Sequence, residues 1–225
     1  MAKKIYLSPS DQTKNAYAYG NTTEAIQCRR IADALETALK RCGFAVKNNK
    51  TGSMAERVAE SNNWGADLHM PLHTNAYNGK VSGTRIFTYD TKGAGYQCAK
   101  KVFGYLSALT PGKSENISAD AELYEVHRTT APCVYVESEF HDVPDVAKWI
   151  VEHVSDIAEA ICRGICDYFG VKYVASAKTG ATKTAAEATI YRVQVGAYTQ
   201  KANAETQLKK VQKYFPDAYI ATAKK

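Results

Sequence analysis

Three residues combine suitable chemistry with suggestive placement. His73 closes the apolar stretch Asp67-Leu68-His69-Met70-Pro71-Leu72-His73-Thr74-Asn75-Ala76, and Glu137 closes a second one, Ala131-Pro132-Cys133-Val134-Tyr135-Val136-Glu137. Imidazole can carry a proton or hold a metal near neutral pH, and a carboxylate ending an apolar strand is costly unless paired or used. The third residue, Glu24, falls in the first turn of a helical pattern, where an acid suits the positive end of the helix dipole; spacing alone gives it a structural role. In a strand from Leu68 to His73, side chains alternate, so His69, Pro71 and His73 share one face while Leu68, Met70 and Leu72 share the other. His73, being terminal, is better placed than His69 to reach a crevice, because open α/β sheets gather ligands beyond the carboxyl ends of their strands.

The elements that must position these residues follow from periodicity. Lys4 to Leu7 reads as a strand, followed by a polar loop holding Ser8-Pro9-Ser10-Asp11-Gln12 and Asn15, Gly20 and Asn21. A helix over Thr23 to Cys42 carries the stripe Cys28, Ile31, Ala32, Leu35, Leu39 and Cys42, with Asn21 or Thr22 available as cap and Gly43 past its end. A strand at Ala45 to Lys47 and a helix near Ser53 to Asn63 lead to the histidine strand. The β-α-β-α-β order predicts an α/β fold, a mostly parallel twisted sheet with helices on both faces. Further on come a strand Thr84 to Tyr89, a helix Ala94 to Leu109, a surface loop Thr110 to Ala121, and an edge strand or turn at Leu123 to Val126. Pro144 then opens one long helix to about Phe169.

Composition bounds the rest. With 225 residues, 45% hydrophobic and 23% charged, the chain has room for one ordinary domain and a small appendage. No apolar run approaches the ~20 residues that span a bilayer, and the start Met1-Ala2-Lys3-Lys4-Ile5 lacks the apolar region of a secretory signal. The expectation is synthesis in the cytoplasm without a signal peptide and action elsewhere after release. The six cysteines show no CxxC spacing and are expected to be buried reduced thiols; Cys162 and Cys166, four apart on one helix face, lack a partner cluster. The charge is asymmetric: residues 1–175 hold 20 Lys+Arg and 20 Asp+Glu, the remainder 9 and 3. A basic tail suits an anionic polymer, but no helix-turn-helix or RNA-binding signature points to nucleic acid.

Taken together, Glu24 at the helix start, the strand end Leu72-His73-Thr74-Asn75-Ala76 and the strand end Val136-Glu137-Ser138-Glu139-Phe140 resemble the zinc-dependent N-acetylmuramoyl-L-alanine amidases of the amidase-3 family, over about residues 3–170. The resemblance implies a Zn2+ site in which Glu24 and His73 are ligands, Glu137 as catalytic acid/base, and Asn75 near the substrate. It implies hydrolysis of the amide between N-acetylmuramic acid and L-alanine of the peptidoglycan stem peptide, as in endolysins and autolysins. The family's first ligand, a histidine after the first strand, is missing. Asp11 stands at its place in Ser8-Pro9-Ser10-Asp11, with Gln12, His141 and His69 as alternatives. His69 reaches the same ion with difficulty, since four strand residues span roughly 13 Å.

The tail, through Tyr191-Arg192-Val193-Gln194-Val195-Gly196-Ala197-Tyr198 and Asn203-Ala204-Glu205, resembles half of a SPOR (sporulation-related repeat) module, which binds peptidoglycan. The expected organisation is a catalytic domain at 1–173, a linker at 174–189 and a half module at 190–225, built from a strand Ile190 to Ala197, a helix Ala202 to Tyr214 and a strand Ala218 to Ala221. A half sheet leaves an open edge, so two chains are expected to complete one module as a homodimer. Partners are then peptidoglycan and anionic wall polymers, reached by phage or mother-cell lysis. Two competing readings stay open: a degenerate wall-binding protein, motivated by the missing histidine, and a zinc peptidase acting within the stem peptide.

Overall fold

The structure is a computed structural model and describes residues 2–176, 196 and 198–213. The chain divides into two units, Met1–Thr179 and Gly180–Lys225. The first carries strands β1 (Lys4–Pro9), β2 (Ala45–Asn48), β3 (Leu68–Asn75), β4 (Arg85–Thr88), β5 (Asn116–Ala119) and β6 (Tyr135–Phe140). Its helices are α1 (Glu24–Arg41), α2 (Met54–Trp64), α3 (Ala94–Leu106), α4 (Tyr124–Arg128), α5 (Pro144–Glu152) and α6 (Val154–Phe169). In the second unit the helix α7 (Lys201–Val211) is described; the two tail strands and most of the linker expected from the sequence lie outside the described residues.

The strands form one sheet in the order β2-β1-β3-β6-β4-β5. Its pairs are parallel except β4 with β6, which is antiparallel. The expected α/β class, a mostly parallel sheet with helices, is the observed one. Apolar side chains of β1, β3 and β6 (Ile5, Leu7, Leu68, Met70, Leu72, Val136), with Val134 just before β6, enter the main core beneath α1, α3 and α6. The opposite face is polar. There Tyr6 stacks on His69 with ring centroids 5.2 Å apart, and α2 and α4 pack on each other and supply Arg57 and Glu125.

Several boundaries differ from the periodicity reading. Leu123 to Val126 is not an edge strand: Tyr124–Arg128 is a short helix, and the edge strand lies at Asn116–Ala119, inside the expected loop. The long helix after Pro144 is broken at His153, which has φ −116° and ψ 24° and serves as end cap of α5 and start of α6. The His153 ring folds back on the preceding turn, stacking on Trp149 at 4.7 Å with Nδ1 2.8 Å from the Trp149 carbonyl oxygen.

Candidate active site

Two features of the sequence bring the site together. Parallel pairing of β3 with β6 places His73 directly opposite Glu137, with a register shift immediately after, between His73 and Asn75. Helix α1 begins at Glu24, and its first turn is tied to the β1–α1 loop because the Glu24 N–H donates to the Asn15 carbonyl at 2.9 Å. The Glu24 carboxylate is thereby buried against His73, Oε1 to Nδ1 at 2.8 Å. Asn15 Nδ2 donates to Glu24 Oε2 at 2.8 Å. Gln12 completes the group: its side-chain amide lies 3.4 Å from both Glu24 Oε1 and His73 Nδ1 and accepts from Asn15 at 2.7 Å. Tyr135 lies two residues before Glu137 on the same strand face and stacks on the His73 ring at 4.6 Å.

The electrostatics follow from burial and charge. Burial pushes the Glu137 carboxyl up, to about 8, with the His73 ring opposing and the Glu24 charge adding to the rise. Glu137 Oε2 is buried and has no hydrogen-bond partner. Burial would also raise Glu24, but the bonds from His73 and Asn15 outweigh it and hold the carboxyl below its ordinary value. For His73, burial favours the neutral ring, and the bond to Glu24 together with the charges of Glu137 and Glu24 reverses this, leaving its pKa raised. The result is a carboxylate–imidazole pair beside a carboxyl oxygen that has no hydrogen-bond partner.

The other sequence candidates go elsewhere. Asp11 does not join Glu24 and His73: its carboxylate is 53% exposed and lies 3.5 Å from Arg57 Nη2. Gln12, its neighbour, faces the pair instead, because the loop after a strand carries no periodicity that fixes which side chain points inward. Among the described residues no third His, Cys, Asp or Glu brings a ligand atom within 4.8 Å of both. His69 is fully buried and pairs through Nε2 with Glu125 Oε2 at 2.7 Å, while Ser8 donates to Glu125 Oε1 at 3.0 Å. His141 packs against Tyr17 at 4.9 Å, its Nδ1 3.0 Å from Thr74 Oγ1 and 2.9 Å from the Thr74 carbonyl. Asn75 lies at the rim, its Oδ1 accepting from Ala76 N–H at 2.8 Å. Tyr135 was not singled out from the sequence, although its parity with Glu137 marks it as facing the same way.

Carboxylate and imidazole are ligand types that zinc takes, and the partnerless Glu137 oxygen beside them is what a metal-bound water needs. The donor set therefore fits a zinc ion for two positions, while the Gln12 atom facing the pair is its Nε2, a hydrogen-bond donor and not a ligand.

Comparison with known proteins decides the family. The sequence profile described as N-acetylmuramoyl-L-alanine amidase matches residues 6–167. The chain belongs to that family. A SPOR domain profile matches residues 176–225, beginning within the stretch expected as linker. A sporulation-specific N-acetylmuramoyl-L-alanine amidase of Bacillus subtilis is 26% identical over 217 residues, 90% of this chain and 78% of its own length. An N-acetylmuramoyl-L-alanine amidase from Bacillus licheniformis, CwlM, is 23% identical over 161 residues, 71% of this chain and 58% of its own length. Among solved structures, the catalytic domain of the amidase CwlV from Bacillus (Paenibacillus) polymyxa var. colistinus superposes with a TM-score of 0.68 at 18% identity, covering 76% of this chain and 99% of its own. That likeness establishes the amidase-domain fold over the first unit.

Proposed function

We propose that the amidase domain hydrolyses the amide bond between N-acetylmuramic acid and the L-alanine of the peptidoglycan stem peptide. The observation that carries this reading is the direct pairing of His73 with Glu137 across β3 and β6, with Glu24 2.8 Å from His73. Glu24 and His73 would hold the zinc ion, oriented by the Gln12 amide beside them. When bound, zinc supplies a water of lowered pKa and polarises the scissile carbonyl.

The chain's own residues do the rest. Glu137 takes the proton of the attacking water on Oε2, the oxygen without a partner, and returns it to the leaving L-alanine nitrogen. Its raised pKa keeps the protonated form accessible near neutrality, which the donation step requires. Tyr135 covers one face of the His73 ring and Asn15 holds the second Glu24 oxygen, so both groups stay in one orientation. The tail, matching a SPOR profile and carrying the excess of basic residues, would hold the enzyme on peptidoglycan and its anionic polymers. The matches give no support to a homodimer through the tail, and the reading does not require one. Release from a lysing mother cell suits the sporulation-specific name of the first relative better than phage lysis.

A second reading, a wall-binding protein without catalysis, is favoured by one observation, the Gln12 amide in place of a third His or carboxylate. Mass-spectrometric analysis of purified peptidoglycan treated with the chain separates the two. Newly freed L-alanine amino groups, lost in Glu137→Gln, support the amidase; intact stem linkages with retained wall binding support the alternative, and cleavage deeper in the stem would indicate a peptidase.

A further inference from the structure

The six cysteines are all buried and free, but they are not distributed alike. Cys42 caps the C-terminal end of α1, and its sulfur lies 3.8 Å from that of Cys162 on α6. Cys166, one turn further along α6, joins them, so that the three sulfurs lie within 4.8 Å of one another. Among the described residues this is the one group of three His, Cys, Asp or Glu side chains so arranged. The cluster is remote from the hydrolytic residues: Glu24 begins α1 and Cys42 follows its end, and 18 residues of helix span about 27 Å.

We propose that Cys42, Cys162 and Cys166 form a second metal site, separate from the hydrolytic centre, that takes a thiophilic d10 cation such as Zn2+ or Cd2+ and staples α1, α6 and the segment leading to the tail. Three observations carry it. Thiolates about 2.3 Å from a tetrahedral ion lie roughly 3.8 Å apart, which is the Cys42–Cys162 separation found before any ion is added. The backbone N–H of Val174 points at Cys42 Sγ at 3.3 Å, the kind of donor that orients a ligand sulfur and supports its negative charge. Arg41, adjacent to Cys42, holds Val174 in place by donating from Nε to its carbonyl at 2.9 Å, and is itself fixed by two bonds of 2.7 Å to Glu159.

Loading balances simply: each thiol gives up a proton, so a divalent ion entering the group releases three protons and leaves one net negative charge beside the Arg41 guanidinium. Because binding releases protons, the site binds less tightly as pH falls. The sulfur set separates this site from the hydrolytic pair, whose donors are oxygen and nitrogen.

The test is titration of the full chain, reduced and metal-free, with Cd2+ while following the thiolate-to-cadmium charge-transfer absorption, which an oxygen–nitrogen site does not produce. One equivalent should develop the band in wild type and in His73→Ala and Cys98→Ser, while Cys42→Ser should lose it. Because the serine variant could misfold, the same wild-type protein is also alkylated with N-ethylmaleimide under partial denaturation, with and without Cd2+, and mapped by peptide. Protection confined to Cys42, Cys162 and Cys166 supports the site. Absence of the band, a band that survives Cys42→Ser, equal alkylation of all six cysteines, or recovery of a Cys42–Cys162 disulfide that excludes the ion would overturn it.

Discussion

Replacing Glu137 by glutamine should stabilise the metal-stripped protein, and by an amount that grows with pH. The carboxyl ionises at 4.5 in an ordinary setting and at about 8 in the fold. A folded-state pKa above the unfolded one means that folding favours the protonated acid. The associated loss of stability is absent below about 4.5, grows as pH rises to about 8, and is constant beyond. At ~1.36 kcal/mol per tenfold difference the full gap is roughly 4–5 kcal/mol, and water at the half-buried rim reduces it to about 2–3 kcal/mol. Glutamine keeps the shape and carries no charge, so it escapes this cost at every pH. Unfolding followed by circular dichroism in the presence of a chelator should place Glu137→Gln roughly 5–10 °C above wild type at pH 8.5. The two should coincide near pH 4.5, and adding zinc should narrow the gap, since a nearby cation favours the carboxylate. A difference that does not change with pH, or a glutamine variant that is less stable at pH 8.5, would refute the reasoning.

Other substitutions probe separate parts of the account. Gln12→Ala should weaken zinc binding about 10–100-fold in competition with a chromophoric chelator, as loss of a supporting group does, whereas Asp11→Ala, which faces Arg57, should leave it nearly unchanged. Glu125→Ala removes the partner of buried His69 and Ser8 and should cost about 3–5 kcal/mol in chemical denaturation, without altering the zinc stoichiometry. Gly112→Ala should destabilise by about 1–3 kcal/mol or more in the same assay, because its Cβ would collide with Gly83 N and Glu139 Oε1. That carboxylate bonds the backbone N–H groups of Gly83 and Gly112, each at 2.7 Å, so the clash would part the two loops it joins.

How far the sequence could be read depended on periodicity. The alternation in Leu68–Asn75 and Tyr135–Phe140 was enough to put His73 and Glu137 on one edge, and pairing of the two strands then brings them opposite. The position of Glu24 was legible because a helix start has its own signals, whereas spacing alone gave it a structural role and only the family resemblance put it in the site. The choice between Asp11 and Gln12 was not, since a loop side chain points where its neighbours allow, and here Asp11 is half exposed, 3.5 Å from Arg57, while Asn15 and Glu24 hold Gln12 in. The break at His153 was hidden because the apolar period continues across it with neither Gly nor Pro. Likewise, no local spacing could announce that Cys42 meets Cys162, which lies 120 residues away.

The most direct test of the central claim measures zinc content and release of L-alanine amino groups from purified peptidoglycan together, on wild type, His73→Ala and Glu137→Gln, with zinc at the thiol cluster removed from the count by Cys42→Ser in each background. The account predicts about one zinc per chain and activity in the parent, loss of both in His73→Ala, and in Glu137→Gln retained zinc with turnover reduced at least ~100-fold. Zinc and amino-group release that persist in His73→Ala, or undiminished turnover in Glu137→Gln, would contradict it.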